Sequence, residues 1–448
     1  MRLQRGCRVL QVARRVSPFR FVAARGPGRN RRCRYAAPVS HPVPRRILPV
    51  IVLSQFAGTS LWFAVNAVMP DLQRDWALPA AALGTLTSAV QLGFVAGTLV
   101  FALLMLADRF PPARVFLACS LLGAACNAGM LLADGHYGVL LALRFAVGFL
   151  LAGIYPVGMK IAASWYRERL GAVMGVLIGA LVLGTALPHG LRALAGDGPG
   201  AAFAVGGLAA WEAVVAGVSL LAALGGIATA LLVPPHPAAA RAARVTPRAL
   251  GLIWSDRRLR ASVFGYFGHM WELYAMIVLV PVIMATRLAG AAVSAASFWA
   301  IAAGFAGCVL GGLAVRRFGS ARVAHLQLTT SGACCLAAPL MLAAPLPLFL
   351  AWMLLWGATV SGDSPQFSTL TAQNAPPAVV GSVLTFANCI GFAISVVSIE
   401  LFVRATAAWP LAQVLPWLAL GPAIGLWMLR PLVRDGLKPA APPSGRSA

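Results

Sequence analysis

The sequence predicts an all-α membrane protein with twelve transmembrane helices in two pseudo-symmetric halves of six. Composition is the first observation: 60% of the 448 residues are hydrophobic and only 11% are charged, which is too little polar surface to cover a soluble globule of this size. The second observation is a series of apolar runs that approach or exceed the roughly 20 residues needed to cross a bilayer. The third is an internal repeat between the two halves of the chain.

The apolar runs divide the chain into domains. Residues 234–260 separate two sets of six runs, and this stretch is rich in proline, alanine and arginine, with six arginines and one acid. The predicted organisation is a basic disordered arm (1–46), an N-terminal six-helix half (47–233), a cytoplasmic connector (234–260), a C-terminal six-helix half (261–429) and a cytoplasmic tail (430–448). The predicted spans cover residues 47–69, 80–107, 115–133, 139–161, 172–194, 208–233, 261–286, 293–315, 323–344, 346–371, 381–402 and 410–429.

Three separate segments recur in the same order in the two halves. Residues 55–70 align with residues 266–281 without a gap, and both segments end in proline. The other two pairs lie at similar offsets, so all three fall 208 to 211 residues apart and indicate duplication of half the chain. These pairs are Gly148, Gly153 and Pro156 with Gly357, Gly362 and Pro365, and Asp108-Arg-Phe…Arg114 with Arg316-Arg-Phe…Arg322.

The formal net charge of +24 is unevenly distributed. Thirteen arginines precede residue 47 and residues 1–46 contain no acid, which predicts a disordered arm beside the anionic cytoplasmic leaflet; a floppy tail and a mis-assigned start are the alternatives. In the connections, seventeen basic residues fall on one side of the membrane and four on the other, so both termini are expected in the cytoplasm and the protein in the inner membrane. No nucleic-acid partner is predicted. The eight cysteines show no spacing typical of a metal site or a disulfide.

Ionisable residues within the predicted spans are candidates for function, because such residues are rare in lipid. His269 and Glu272 are three residues apart, so on a helix they are neighbours on one face and could take up and release protons. Asp363 lies about 17 residues into the tenth predicted span, beside Pro365, and is interpreted as a third buried charge. The alternative ends that helix early and leaves Asp363 as a solvated cap.

Arg144 is the only arginine well inside a predicted span. In an ideal helix Arg144, Gly148 and Tyr155 fall within about 40° of one another. An isolated cation there costs roughly 3 kcal/mol on insertion scales, so Arg144 is expected to face water, an anion or a carboxylate. The alternative is that its long side chain reaches back to the membrane surface.

Two motifs resemble those of the major facilitator superfamily of secondary transporters. The loop after the second span reads Leu106-Ala-Asp-Arg-Phe-Pro-Pro-Ala-Arg114 and is similar to the Asp-Arg-x-Gly-Arg-Arg signature of that family. The fourth span resembles the family's Arg-x-x-x-Gly motif, and the layout of six plus six spans is also similar, over residues 47–429. The resemblance implies a conformational latch formed by Asp108, Arg109 and Arg114. Leu104 and Pro111 depart from the family pattern, which predicts a latch of altered shape.

In the family that this chain resembles, the first, fourth, seventh and tenth spans line a central cavity. The strongest charges of the predicted spans all fall on the last three of these, and the first span carries a polar and aromatic stripe at helical spacing. The predicted proton-coupling residues are His269, Glu272 and Asp363. The predicted substrate-binding residues are Arg144, Tyr155, Gln55, Thr59, Trp62, Asn66, Tyr266 and Tyr274.

Common enzyme motifs are missing. Neither Lys160 nor Lys438 follows a glycine, so a Gly-Lys-Ser/Thr phosphate loop is excluded. There is no His-Glu-x-x-His and no Gly-x-Ser-x-Gly sequence, so the chain is not predicted to be an enzyme and no cofactor or metal is expected.

The leading hypothesis is a proton-coupled symporter or antiporter, acting as a monomer, that moves a small organic or inorganic anion by alternating access. Arg144 would hold the anionic group. The runner-up is an antiporter that exports drugs or cations, favoured by the buried acids and by Trp62, Trp271 and Tyr274. A third hypothesis, a non-transporting receptor or scaffold, is disfavoured because both tails are too short to form a folded appendage.

Overall fold

The computed structural model of the chain describes residues 43–166, 170–196, 209–235 and 245–435. The described residues form α-helices joined by short turns, and no β-strand occurs among them. Most of the predicted basic arm, part of the connector and the end of the tail lie outside the described residues.

Twelve of the helices are long and apolar enough to cross a membrane, which confirms the predicted fold and the number of spans. Span 1 extends beyond its predicted end at residue 69, because the amphipathic segment after Pro70 continues the helix. Spans 1 to 12 are Ile47–Trp76, Ala82–Leu103, Pro112–Leu132, Tyr137–Trp165, Gly171–Ala195, Ala210–Leu232, Arg257–Met284, Ala291–Phe318, Ser320–Ala343, Leu346–Asn374, Val380–Ala408 and Leu411–Arg434.

The short connections make consecutive spans alternate in direction. We call the end of the bundle that holds Arg109, Lys160 and Arg322 the basic face, and the end that holds Arg74 and Arg192 the opposite face. The described part of the connector contains a short helix, Arg248–Ser255. Asp256 then accepts hydrogen bonds from the next backbone N–H groups and so begins span 7 earlier than its predicted start at residue 261.

Three spans are interrupted near the middle of the bundle. Such interruptions are tolerated at membrane depth where protein groups or water satisfy the backbone. In spans 4 and 10 the second segment carries a proline, Pro156 or Pro365, in its first turn, where a missing N–H does no harm. The paired segments are Ile47–Thr59 and Ala64–Trp76 around a 3₁₀ turn in span 1, Tyr137–Leu151 and Tyr155–Trp165 in span 4, and Leu346–Gly362 and Ser364–Asn374 in span 10.

Glycines bring the same pairs of spans together in each half. In the N-terminal half, Gly93 of span 2 lies against the Phe145 carbonyl of span 4, and Gly148 lies against the Val90 carbonyl of span 2. Spans 8 and 10 repeat this reciprocal arrangement through Gly307 with Ala358 and Gly357 with Ala300. A methyl group at any of these four glycines would overlap a backbone carbonyl, so they are required for close helix packing.

We expect Gly307→Ala to lower stability by about 2 kcal/mol, the usual range for overpacking, because span 8 must move away from span 10. Gly312→Ala is the matched control on the same helix, since nothing lies within 4 Å of its added carbon. That control should be neutral or slightly stabilising, because alanine favours a helix. Thermal unfolding in detergent measures both, and equal melting temperatures would contradict this account of the packing.

Candidate functional site

The two halves meet through spans 5 and 8 and through spans 2 and 11. Between the halves, a cleft of about 610 Å³ is open at the opposite face. Its walls come from spans 1, 2 and 5 on one side and from spans 7, 8 and 11 on the other, and they include Asn66, Asp71, Arg192, Pro281 and Val403. Solute in this cleft would therefore contact both halves at once.

An aromatic cluster lies one helical turn deeper than the cleft. Trp62 of span 1 stacks on Tyr274 of span 7 at 6.0 Å and on Phe392 of span 11 at 5.5 Å between ring centroids. Phe94 of span 2 lies 4.5 Å from Phe392 and 6.4 Å from Tyr155 of span 4. Trp62, Phe94, Tyr274 and Phe392 are all buried, so together they close the centre of the bundle between the halves. Phe94 and Phe392 were absent from the predicted site because they lie on spans 2 and 11.

The predicted stripe on span 1 is buried along its whole length, but its members contact different groups. The indole of Trp62 donates to Gln91 Oε1 at 3.0 Å, and Asn66 Nδ2 donates to a threonine hydroxyl of span 2 at 2.9 Å at the wall of the cleft. Thr59 donates to the Gln55 carbonyl at 2.8 Å. The side-chain amide of Gln55 has no hydrogen-bond partner among the described residues and lies toward the basic face.

Arg144 is fully buried and holds the interrupted part of span 1. Its Nη1 donates to the Leu61 carbonyl at 3.0 Å, and its Nη2 donates to the Trp62 carbonyl. These carbonyls are available because the 3₁₀ turn breaks the regular helical hydrogen bonding. The structure thus places neutral backbone acceptors where an anion, water or a carboxylate was expected, and the side chain does not reach the membrane surface. Its Nε has no partner among the described residues.

His269 and Asp363 form a pair between spans 7 and 10. Their Nδ1 and Oδ1 atoms are 2.8 Å apart and both side chains are fully buried. Asp363 lies at the junction of the two segments of span 10, where helix resumes at Ser364, so it is not a solvated cap. Tyr266, another predicted substrate-binding residue, lies 5.9 Å from the His269 ring.

Glu272 faces a different set of groups from His269, although the two share one side of span 7. Trp356 Nε1 donates to Glu272 Oε1 at 2.7 Å, Cys335 Sγ lies 3.2 Å from the same oxygen, and Ser331 Oγ donates to Oε2 at 2.9 Å. Positions three residues apart on a helix point in somewhat different directions. His269 therefore meets the break in span 10, whereas Glu272 lies between spans 9 and 10. The expected His269 and Glu272 pair is thus replaced by His269 with Asp363.

The predicted latch lies at the basic face. Asp108 pairs with Lys160 Nζ at 2.6 Å, and the same ammonium donates to the Ala107 carbonyl at 2.8 Å. Arg109 and Arg114 are exposed. Lys160 was not predicted to belong to the latch. The feature of the sequence that could have indicated it is a lysine at the end of an apolar span.

Charged residues at the opposite face were also missed. Asp71 and Arg192 form two hydrogen bonds, of 2.7 and 3.1 Å, at the wall of the cleft, and Arg74 donates to Asp71 at 2.8 Å. Asp71 was overlooked because span 1 was predicted to end before it. These bonds join span 1 to span 5 at the opposite face.

Comparisons with known proteins agree with this architecture. A model of the Major Facilitator Superfamily matches residues 51–399. The putative uncharacterized transporter YgaY of Escherichia coli (strain K12) is 26% identical over 252 residues, which are 52% of this chain and 59% of that protein, so the match spans about three-fifths of the relative's length.

Two solved structures have a similar fold. One is a bacterial homolog of the human lysosomal transporter Spinster, in an inward-facing and unoccupied conformation, with a TM-score of 0.67, 16% identity and coverage of 90% of this chain and 100% of that chain. The other is the fucose:proton symporter FucP of E. coli, with a TM-score of 0.61, 14% identity and coverage of 87% and 99%. At these identities the likeness concerns the fold alone.

We expect Glu272→Leu to lower stability by about 3 kcal/mol, because it leaves several buried donors without an acceptor, each costing roughly 1–3 kcal/mol. Glu272→Gln should cost much less, since its amide oxygen still accepts from Trp356 and the Ser331 hydroxyl can turn to accept from its amide nitrogen. Denaturation curves in detergent measure the difference. Equal losses in the two variants would show that the donors around Glu272 do not matter.

Proposed function

The chain belongs to the Major Facilitator Superfamily, and on that premise we propose that it is a proton-coupled secondary transporter of a small anionic solute. Transmembrane transport is the activity of the family; the coupling ion and the class of solute are the proposal. The observation that carries it is the fully buried His269 and Asp363 pair, which joins the two spans of the C-terminal half expected to line the pathway.

Proton coupling is supported by the surroundings of the pair. A charge in a low-dielectric interior is costly, so a buried histidine and carboxylate gain or lose protons readily when their neighbours change. The His269 Nδ1 and Asp363 Oδ1 atoms are in close contact at 2.8 Å, and separating spans 7 and 10 would remove that neighbour from each group. A movement of the helices would therefore change the neighbours of both groups, and we propose that this change couples proton uptake to transport. Glu272 is the additional proton-coupling candidate on the same helix.

Anion binding is supported by Arg144. Its guanidinium is completely buried, and it donates to two neutral carbonyls beside the aromatic cluster. An anionic group would make stronger, charge-assisted hydrogen bonds with it than a carbonyl does. Solute that passes the aromatic cluster would find this cation at the centre of the bundle, together with the phenol of Tyr155 and the amide of Gln55.

Alternating access is supported by the arrangement of the halves. The cleft is open at the opposite face, the aromatic cluster closes the centre, and the interrupted spans 1, 4 and 10 carry the groups that must move. We propose that Asp108, Arg109 and Arg114 form a conformational latch at the basic face, in which Lys160 holds the Asp108 carboxylate. The distribution of basic residues supports a cytoplasmic location of that face and of both termini. We propose that the protein works as a monomer in an inner membrane.

A second candidate, efflux of hydrophobic cations by proton antiport, is favoured by the aromatic cluster. Trp62, Tyr274 and Phe392 present ring faces that attract organic cations. The two candidates differ in the residue that a solute requires: Arg144 for an anion, and a buried acid for a cation.

Proteoliposomes that contain a pH-sensitive dye test both candidates. The panel would include inorganic anions, small carboxylates, amines and lipophilic cations, each applied as a gradient. For any solute that moves protons, we expect Asp363→Asn to lower the proton flux at least about tenfold, equivalent to roughly 1.4 kcal/mol at the barrier. Arg144→Gln should abolish transport of an anion, whereas Arg144→Lys should retain part of it.

Glu400→Gln is the control, because Glu400 is an acid of the same half that is partly exposed, pairs with Arg404 at 3.1 Å and is not one of the proposed proton-coupling residues. Coupled flux that is unchanged in Asp363→Asn and Glu272→Gln would rule out the proposed proton site. Cation flux that is lost in those two variants but retained in Arg144→Gln would favour efflux instead.

A further inference from the structure

We propose that the C-terminal half contains a water-lined proton pathway that connects the His269 and Asp363 pair to the basic face through the amides of Gln366 and Gln327. The proposal rests on the proposed role of that pair as the proton site, and it adds the route and the side from which protons arrive. Neither glutamine was among the predicted site residues.

A stripe on span 10 leads from the pair toward the basic face. Asp363, Gln366, Leu370 and Gln373 are spaced by three, four and three residues, so they lie along one side of the segment Ser364–Asn374. Gln366 is buried, with 2% of its surface exposed. At 1.5 Å per residue, the stripe covers about 15 Å from Asp363 to Gln373.

Several buried polar atoms along this route lack a protein partner. Within the described ranges, no hydrogen bond reaches Asp363 Oδ2, His269 Nε2, Gln366 Nε2 or Gln327 Oε1, and Asp363 Oδ1 and His269 Nδ1 lie close to each other without hydrogen-bond geometry. Leaving such a group unpaired costs roughly 1–3 kcal/mol, and nearly all buried polar groups find a partner in protein or ordered water. Four in one region therefore indicate bound water, since each water can join two to four of them.

Glycines allow the amides that would bind this water to come together between spans 8, 9 and 10. Gln327 Nε2 donates to the Gly307 carbonyl at 3.1 Å, which turns its amide inward from span 9. The position of a β-carbon on Gly311 would lie 3.0 Å from Gln327 Nε2 and 3.3 Å from Gln366 Nε2. The two amides thus converge on Gly311, whose missing side chain lets both of them approach span 8.

A cavity at the basic face reaches the end of the stripe. It has a volume of about 410 Å³ and is lined by Phe318, Arg322, Leu370, Gln373 and other residues at the ends of spans 7 to 10 and 12. Leu370 is one helical turn from Gln366, or about 6 Å along the axis. This leucine is the one apolar member of the stripe, and it separates the cavity from the buried amides.

The titratable groups around Asp363 are few. Span 7 contributes Tyr266, His269 and, one turn further, Glu272. Span 8 contributes Cys308, whose Sγ donates to the Ser361 carbonyl at 3.3 Å. Span 9 presents the uncharged Gln327. A proton that arrives through the amides therefore meets the His269 and Asp363 pair first.

Hydrogen–deuterium exchange of the Asp363 carboxyl group tests the pathway without a transported solute. The full-length protein in lipid nanodiscs would be transferred from H₂O to D₂O over a pH series while its infrared carbonyl bands are recorded. The protonated Asp363 band is the one that disappears in Asp363→Asn. We expect Gln366→Leu and Gln327→Leu to slow its isotope shift at least about tenfold, as expected from one lost hydrogen-bonding partner for water.

Gln413→Leu is the matched control, because Gln413 is an exposed glutamine of the same half that lies on the far side of span 7. Leu370→Ala gives a test in the opposite direction, since removing the apolar barrier should speed the exchange. Gln366→Met and Gln327→Met replace the leucine variants if those do not elute as monodisperse protein.

Two results would overturn the proposal in distinguishable ways. Wild-type exchange rates in the glutamine and Leu370 variants, with the Asp363 band present, would exclude the pathway and leave the proton site intact. If no pH in the series shows a band that Asp363→Asn removes, Asp363 does not bind a proton, and both the proposed coupling site and the pathway fail.

Discussion

A bilayer offers no hydrogen-bond partners to a broken helix, and this constraint decides where the polar groups of the protein lie. The 3₁₀ turn of span 1 releases carbonyls of Leu61 and Trp62, and the guanidinium of Arg144 receives both. These hydrogen bonds give acceptors to a cation that would be unstable in lipid, and they fix the position of the Trp62 ring. Because that ring stacks on Tyr274 and Phe392, the closure between the halves depends on a bond made within one half.

The two halves of the internal repeat share their helix packing but differ in their buried charged residues. Glycines hold spans 2 and 4 together in one half and spans 8 and 10 in the other, yet the charges differ. By the offsets of the repeat, His269 corresponds to Gly58 and Asp363 to Ile154. Gly58 packs against Ile154, so the position of the buried pair in one half is occupied by an apolar contact in the other. The scaffold is symmetric, whereas the ionisable groups are divided between the halves.

The sequence was sufficient for the fold because length, hydropathy and internal repetition act over many residues. It was also sufficient to find the buried charges, since an arginine or acid in an apolar span is conspicuous. It could not identify their partners. Whether His269 meets Glu272 or Asp363 depends on how spans 7 and 10 pack. Arg144 binds backbone carbonyls, which every residue has, so the sequence gives no signal for these partners. Lys160 and Asp71 were missed because both lie near helix ends, where predicted boundaries are least certain.

The donors around Glu272 have a consequence for how the protein is made. Span 7 leaves the ribosome before Ser331, Cys335 and Trp356 of spans 9 and 10 have been synthesised. Until then its histidine and glutamate have no partners within their own half, and an acid at the centre of an isolated helix opposes insertion by roughly 2.5–3.5 kcal/mol. The hydrogen-bond partners of Glu272 are complete only when spans 9 and 10 have been made. The burial of span 7 is therefore completed late in the assembly of the C-terminal half, when several helices come together.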